Sequence, residues 1–161
     1  MKAESSSFTE VQAIWANELW AGRKSPIESN SAMRWLGGID MALMDSPASF
    51  WIVRSSTAGA PVIIGVLSGH FGGLIDSVRS YRTRGLWVHS DFRGQGVARG
   101  LMQAAVEQAK HENCEILWTF PRQSSMPAYE KLGFMKVGDW IGVNDPGAGE
   151  FGPNCYARKT L

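Results

Sequence analysis

Between positions 90 and 100 the chain reads Ser-Asp-Phe-Arg-Gly-Gln-Gly-Val-Ala-Arg-Gly, an arginine and closely set glycines between an apolar run with strand spacing and one with helix spacing. Phosphate binding is the chemistry such a segment can do. A helix N-terminus presents backbone N–H groups without internal partners and carries about half a positive charge, so it attracts anions. Gly94 and Gly96 let a ligand approach the backbone, and Arg93 can add a charge-assisted hydrogen bond to a phosphate oxygen. Unfilled, the same residues make the tight turn that any passage from strand to helix requires, and spacing alone leaves both readings open. Two phosphate motifs are excluded. The P-loop needs a lysine followed by serine or threonine after its second glycine, and none stands there. The dinucleotide fingerprint GxGxxG needs glycine where the chain has Arg99, and Gly100 comes one residue late. Glu115 lies at about the distance of that fold's ribose-binding acid, but it begins a strand instead of ending one.

Other side chains offer weaker signals. Arg79, Arg82 and Arg84 concentrate positive charge in one short stretch. His89 has an intrinsic pKa suited to proton transfer and reads equally as a surface histidine. Cys114 and Cys155 fit neither a disulfide framework nor a metal-ligand pair and read as free buried thiols in a reducing compartment. The seven tryptophans suit a core or the lining of a pocket.

The elements that must position these groups follow from periodicity. Ser7 followed by Glu10 is a capping-box pattern, after which Phe8, Val11, Ile14, Trp15 and Leu19 recur at helical spacing. Met33, Leu36, Ile39, Leu43 and Met44 predict a second helix ending before Pro47. "SFWIVRSS" and "PVIIGVLSGHF" read as a hairpin of two strands, "GGLIDSVRSY" as a loop or an excursion between strands, and "RTRGLWVHS" as a further strand. A helix then runs from about Gly96 to His111 on Val97, Leu101, Ala105 and Ala109, with Lys110 and His111 suiting the dipole at its end. "EILWTF" is a short strand, and "SSMPAYEKLG" a short helix with Pro127 in its first turn and Gly133 past its end. "FMKVGDWIGV" and "NCYARKTL" are strands joined by "NDPGAGEFGPN". This order predicts a mixed α/β sheet packed by helices.

At 161 residues the chain suits one domain spanning residues 1–161. With 44% hydrophobic and 19% charged residues its composition is globular, and no apolar run approaches the ~20 residues of a membrane helix. A formal charge of +1 creates no overall basic field, so neither nucleic acid nor membrane is an expected partner. "MKAESSSFTE" has no apolar segment of the secretory kind, which makes the cytoplasm the expected location. A monomer and a homodimer are both compatible with the sequence.

Arg93-Gly94-Gln95-Gly96-Val97-Ala98 resembles the (Gln/Arg)-x-x-Gly-x-(Gly/Ala) signature of the GNAT superfamily of acetyl-CoA-dependent N-acetyltransferases. "AYEKLGF", Ala128 to Phe134, resembles the tyrosine-containing helix and following strand of the same superfamily, at the right distance downstream. The likeness is close from about Arg82 to Trp140 and looser over the whole chain. It implies a mixed, mostly antiparallel central sheet with a splayed strand pair and helices on both faces. It also implies that backbone groups of Leu86, Trp87 and Val88 take up the pantetheine arm of acetyl-CoA. The pyrophosphate falls to Gly94, Gln95, Gly96, Val97 and Ala98, with Arg93 opening the motif and Arg99 either reaching a phosphate or facing solvent. Tyr129 matches the tyrosine that acts as general acid toward the leaving thiolate, although it could also simply pack the helix. A phenol of pKa ~10 would give its proton uphill to a thiolate of pKa ~8.5, at a cost on the order of 2 kcal/mol, so a strong hydrogen bond describes the interaction better.

The implied reaction is direct attack of an amine on the thioester, with the oxyanion held by a backbone N–H near Val88, and without metal or covalent enzyme intermediate. The acceptor would be a primary amine of a small molecule or peptide. Two positions depart from the family pattern. Arg122 replaces an asparagine that begins the tyrosine helix in many members, and Arg82 or Arg84 occupies the place of the glutamate or histidine base on the splayed strand. An arginine cannot accept a proton at neutral pH. His89, Asp76, Asp40, Glu28 and water are the alternatives. Arg82 and Arg84 share a strand face, which suits binding a carboxylate or phosphate on the acceptor. The missing base also leaves room for a non-catalytic acyl-CoA-binding sensor or interaction domain.

Overall fold

The computed structural model describes residues 1–30, 34–35, 38–39, 43, 45–55 and 59–161. Strand β1 (Glu4–Ser5) precedes helix α1 (Phe8–Ile14), which Ser7 caps by accepting from Glu10 N at 3.3 Å. The Glu10 carboxylate does not return the bond; it accepts from Ser6 Oγ at 2.7 Å and pairs with Arg54. The helix widens into a π turn over Trp15–Leu19. Val11 and Trp15 are fully buried against Phe50, Ile52 and Val66.

Where the apolar spacing of Met33, Ile39 and Leu43 predicts a helix, the described residues form strands β2 (Arg34–Trp35) and β3 (Gly38–Ile39), paired antiparallel. The sequence there contains Gly37-Gly38, adjacent poor helix formers that favour a turn over continued helix. Met33, Leu36 and Met44 lie outside the described residues.

Strands β4 (Ala48–Ser55), β5 (Val62–Ile75) and β6 (Val78–Val88) follow as an antiparallel meander. Alternation along β4 sends Phe50 and Ile52 to the α1 face, and Trp51 and Val53 to the other. The stretch "GGLIDSVRSY", undecided from sequence, is strand on both sides of a two-residue turn in which Asp76 and Ser77 have φ of 51° and 66°. This left-handed pair matches the sheet twist, but Asp-Ser is a weaker signal for such a turn than Asn-Gly.

Helix α2 (Val97–His111) buries Val97, Leu101, Met102, Ala105 and Ala109 on the face opposite α1. Each fully buried valine or leucine side chain contributes roughly 1.5–3 kcal/mol. Strand β7 (Ile116–Thr119), helix α3 (Met126–Lys131), and strands β8 (Met135–Ile141) and β9 (Asn154–Thr160) complete the chain. Among the described residues the large sheet has the order β1-β4-β5-β6-β7-β9-β8, antiparallel throughout except for the parallel pair β6 and β7. The mixed, mostly antiparallel sheet with helices on both faces is therefore present. No helix among the described residues is long and apolar enough to cross a membrane.

Candidate active site

Two features of β6 create the site. It pairs with β7 through Ser80–Arg82 against Ile116–Trp118, then runs on to Val88 while β7 ends at Thr119, so the parallel strands part. Its register against β5 also slips, because Val66 faces Trp87 while Ser68 faces Arg84, leaving Gly85 and Leu86 opposite Leu67 alone. Gly85 takes φ of 69°, and Trp15 Nε1 donates to its carbonyl at 2.8 Å. A Cβ there would lie 2.3 Å from the Trp15 ring, so the bulge and its seat require glycine.

Beyond the bulge, His89 N donates to Ile64 O on the β5 side. Strand alternation turns the N–H and C=O of Val88 to the other edge, where Arg93 Nε donates to Val88 O at 3.2 Å. Arg93 thus ties the glycine turn to the end of β6. Gln95 folds back onto the turn, its Nε2 donating to Asp91 O at 2.9 Å. Gly94 and Gly96 have φ of 78° and 84°, and a Cβ on either would enter open space. Gly96 caps α2 without a side chain, and Gly100 N to Gly96 O at 3.0 Å is the first turn's closing bond. Earlier amides, including those of Val97, Ala98 and Arg99, have no acceptor within the helix. Val97 is buried against the sheet and Arg99 is exposed.

Where the strands part, a cavity of about 420 Å³ opens, lined by Arg82, Arg84, Leu86, Thr119 and Tyr129 among others. Tyr129 is placed by α3. The helix ends in a Schellman arrangement, with Phe134 N donating to Tyr129 O at 3.1 Å and Gly133 N to Glu130 O at 2.9 Å, and the Phe134 ring meets Tyr129 edge-on at 5.4 Å. "YEKLGF" is the sequence of that stop signal. The Tyr129 side chain is buried and hydrogen-bonded to Thr119; burial pushes its pKa up, against smaller lowering contributions from Thr119 and Arg82. Its phenol is protonated throughout the neutral range.

Arg82 and Arg84 are 4% and 6% exposed. Arg82 lies over the Trp118 ring at 4.4 Å, and its Nε and one terminal nitrogen have no hydrogen-bond partner. Arg84 lies 5.0 Å from both Trp15 and Trp20, donating to Glu28 O. Burial lowers their pKa values to about 10 and about 9, which leaves both charged at neutral pH. His70, directly opposite Arg82 in the sheet, is fully buried with its Nδ1–H donating to Phe71 O at 2.7 Å and its Nε2 unpartnered. Burial first, then the Arg82 charge, lowers its pKa to about 4.

The alternatives for a base are scattered. Asp76 is in the β5–β6 turn, outside the cavity lining, and Asp40 lies outside the described residues. Glu28 is exposed and meets Arg84 through its backbone carbonyl. His89 stands beside Asp91, whose N–H it accepts at 3.3 Å, and also outside the cavity lining. Arg122 donates to Leu19 O at 2.6 Å and covers the Phe151 ring at 4.6 Å. Cys114 and Cys155 are free and buried. Among the described residues no group of three or more His, Cys, Asp or Glu is gathered for a metal ion.

Sequence reasoning missed Thr119, Trp118, Gly85, His70 and Glu150. None carries a local motif, because each acquires its place through sheet register or loop packing.

A model of the acetyltransferase (GNAT) family matches residues 13–134. A GNAT-family acetyltransferase from Staphylococcus aureus superposes with a TM-score of 0.64 at 13% identity, covering 99% of this chain and 98% of that one. A ribosomal-protein-alanine N-acetyltransferase from Brucella melitensis does so with a TM-score of 0.62 at 15% identity, over 100% of both chains. The NatC complex bound to Gag peptide and CoA contains a chain that matches with a TM-score of 0.58 at 20% identity, over 70% of each. No curated protein sequence matches this chain. At these identities the structural likeness establishes the fold.

Proposed function

The chain belongs to the acetyltransferase (GNAT) family, and from that premise we propose an N-acetyltransferase, one domain over residues 1–161, taking acetyl-CoA as donor and a primary amine of a small molecule or peptide as acceptor. When bound, the thioester supplies an acetyl group whose carbonyl carbon bonds to the amine nitrogen as its bond to sulfur breaks, leaving an amide, a free thiol and one proton per ammonium consumed.

The glycine turn fits the pyrophosphate. Gly94 and Gly96 leave open space where side chains would stand, and the amides through Ala98 are available to anionic oxygens. Arg93 and Arg99 are exposed at the same turn and add positive charge. The edge of β6 beyond the end of β7 offers backbone groups of Leu86 and Val88 to the pantetheine arm, whereas Trp87, paired with Val66, turns its own toward β5. Tyr129 donates its phenolic proton in a hydrogen bond to sulfur. Its raised pKa widens the gap to a thiol, so the proton stays on the phenol for most of the step. Thr119 orients that hydroxyl. The acceptor loses its first proton to water, and no metal is needed. A reducing compartment such as the cytoplasm suits the two free cysteines.

The observation that carries this reading is the pairing, at the parting of β6 and β7, of an open glycine-lined helix start with a cavity holding a protonated tyrosine. Calorimetric titration with acetyl-CoA, CoA and NAD tests the donor, with binding of the first two and none of NAD expected. Thiol release with a panel of amines tests the transfer. CoA binding with no release from any amine would establish the second reading, an acyl-CoA sensor, which arginine in place of a strand base favours.

A further inference from the structure

The cavity holds an unusual charge arrangement. Arg82 and Arg84 face it from one strand, both nearly inaccessible, and neither lies within salt-bridge distance of a carboxylate among the described residues. Arg82 keeps two buried nitrogens without any acceptor, and the tryptophan faces beneath the guanidinium groups offer no lone pair in the plane where their N–H groups point. A buried cation lacking a counter-charge is costly unless something supplies one. Glu150, at the cavity margin, does not. Its carboxylate is committed to Lys24 N at 2.8 Å, to Ser25 and to Arg23 at 3.6 Å. His70 behind Arg82 is neutral and adds no negative charge.

We propose that the acceptor is a small zwitterion, an amine carrying an oxyanion (carboxylate or phosphate) a few bonds away, and that Arg82 and Arg84 bind the oxyanion while the amine faces the Tyr129 end of the cavity. This rests on the acyltransfer reading above for the amine. The oxyanion follows from the arginines alone. Planar guanidinium groups with free N–H donors suit two-pronged recognition of such oxygens. The small size follows from volume: donor end, amine and anion must share about 420 Å³, and the arginines lie at its buried side. Arg82 and Tyr129 line the same cavity, so anion and reacting amine share one space.

The test pairs each proteinogenic amino acid with its own carboxamide, and adds 1-aminoethylphosphonate and O-phosphoethanolamine, measuring thiol release from acetyl-CoA and, separately, binding by calorimetry in the presence of CoA. At least one acid is expected to exceed its amide by tenfold or more in kcat/KM, and to raise Tm in the presence of CoA. Preference for the phosphonate or phosphate ester over carboxylates would assign the oxyanion as phosphate. Arg84→Met should raise the KM of that acceptor about 10- to 100-fold and collapse the preference for the acid over its amide in kcat/KM; the wild-type comparison stands even if the variant fails to fold. Acetylation of neutral amines as good as or better than every acid would overturn the proposal while sparing the acyltransferase. Acid binding without transfer would keep the oxyanion site at the arginines but overturn the acyltransfer reading and, with it, the assignment of the zwitterion as acceptor. Absence of binding by every acid and phosphonate also overturns it.

Discussion

Tyr129 is a phenol buried beside a threonine and a guanidinium, and its chemistry follows from that setting. Desolvation raises its pKa, so no activity should be lost to its ionisation anywhere near neutral pH. Replacing Tyr129 with phenylalanine preserves the ring that meets Phe134 and removes only the hydroxyl. We expect turnover with acetyl-CoA to fall by about 10² or more, with KM for the donor little changed. Thr119 loses a hydrogen bond in this variant, a cost of about 1 kcal/mol that denaturant melts would register. Unchanged turnover would reduce Tyr129 to a packing residue. Arg82 and Arg84 show the other side of residue chemistry: the groups that exclude an arginine base are those best suited to an anion.

The elements place these residues through two glycine-dependent devices. At the start of α2, Gly94 and Gly96 hold left-handed backbone with nothing in front of it. Gly96→Val should strain the turn by about 1–2 kcal/mol and project methyl groups toward the phosphates, weakening CoA binding at least tenfold in calorimetry while the circular dichroism of the fold persists. Tight binding by that variant would disprove the cradle. In β6, Gly85 lets the strand bulge over Trp15. Gly85→Ala sets a methyl 2.3 Å from the indole on backbone that disfavours it, so a loss of about 2–4 kcal/mol is expected in urea titration. Full stability would mean that Trp15 and the bulge are not coupled.

Across the whole molecule, α1 and α2 clamp opposite faces of one sheet, and His70 sits in its interior with no exposure. Its pKa falls from 6.5 to about 4 on folding, chiefly through burial. The unfolded chain therefore binds a proton between these values that the folded chain does not, and stability present above pH 6.5 is lost as pH falls toward 4. At 1.36 kcal/mol per unit, the loss is about 3 kcal/mol. His70→Asn should flatten the stability profile over that interval, whatever it does to stability at pH 7. An unaltered slope would show that other groups set the acid sensitivity.

Sequence alone determined the strand-turn-helix around Gly96, the α3 stop at Gly133, most of the strands and, through two spaced motifs, the family. These depend on interactions within a few residues: orphan amides, left-handed caps and alternating or helical periodicity. Around Gly37 the apolar spacing is helical while the adjacent glycines oppose a helix, and the described residues there pair as strands; the Asp76 turn uses residues uncommon at its left-handed positions. The tertiary structure decided the rest. Sheet register placed His70 opposite Arg82, the bulge seated Trp15 under Arg84, and the early end of β7 opened the cavity. The physical reason is that burial and charge pairing depend on neighbours distant in sequence; only the assembled sheet shows that these arginines have tryptophans beneath them and, among the described residues, no carboxylate in salt-bridge reach.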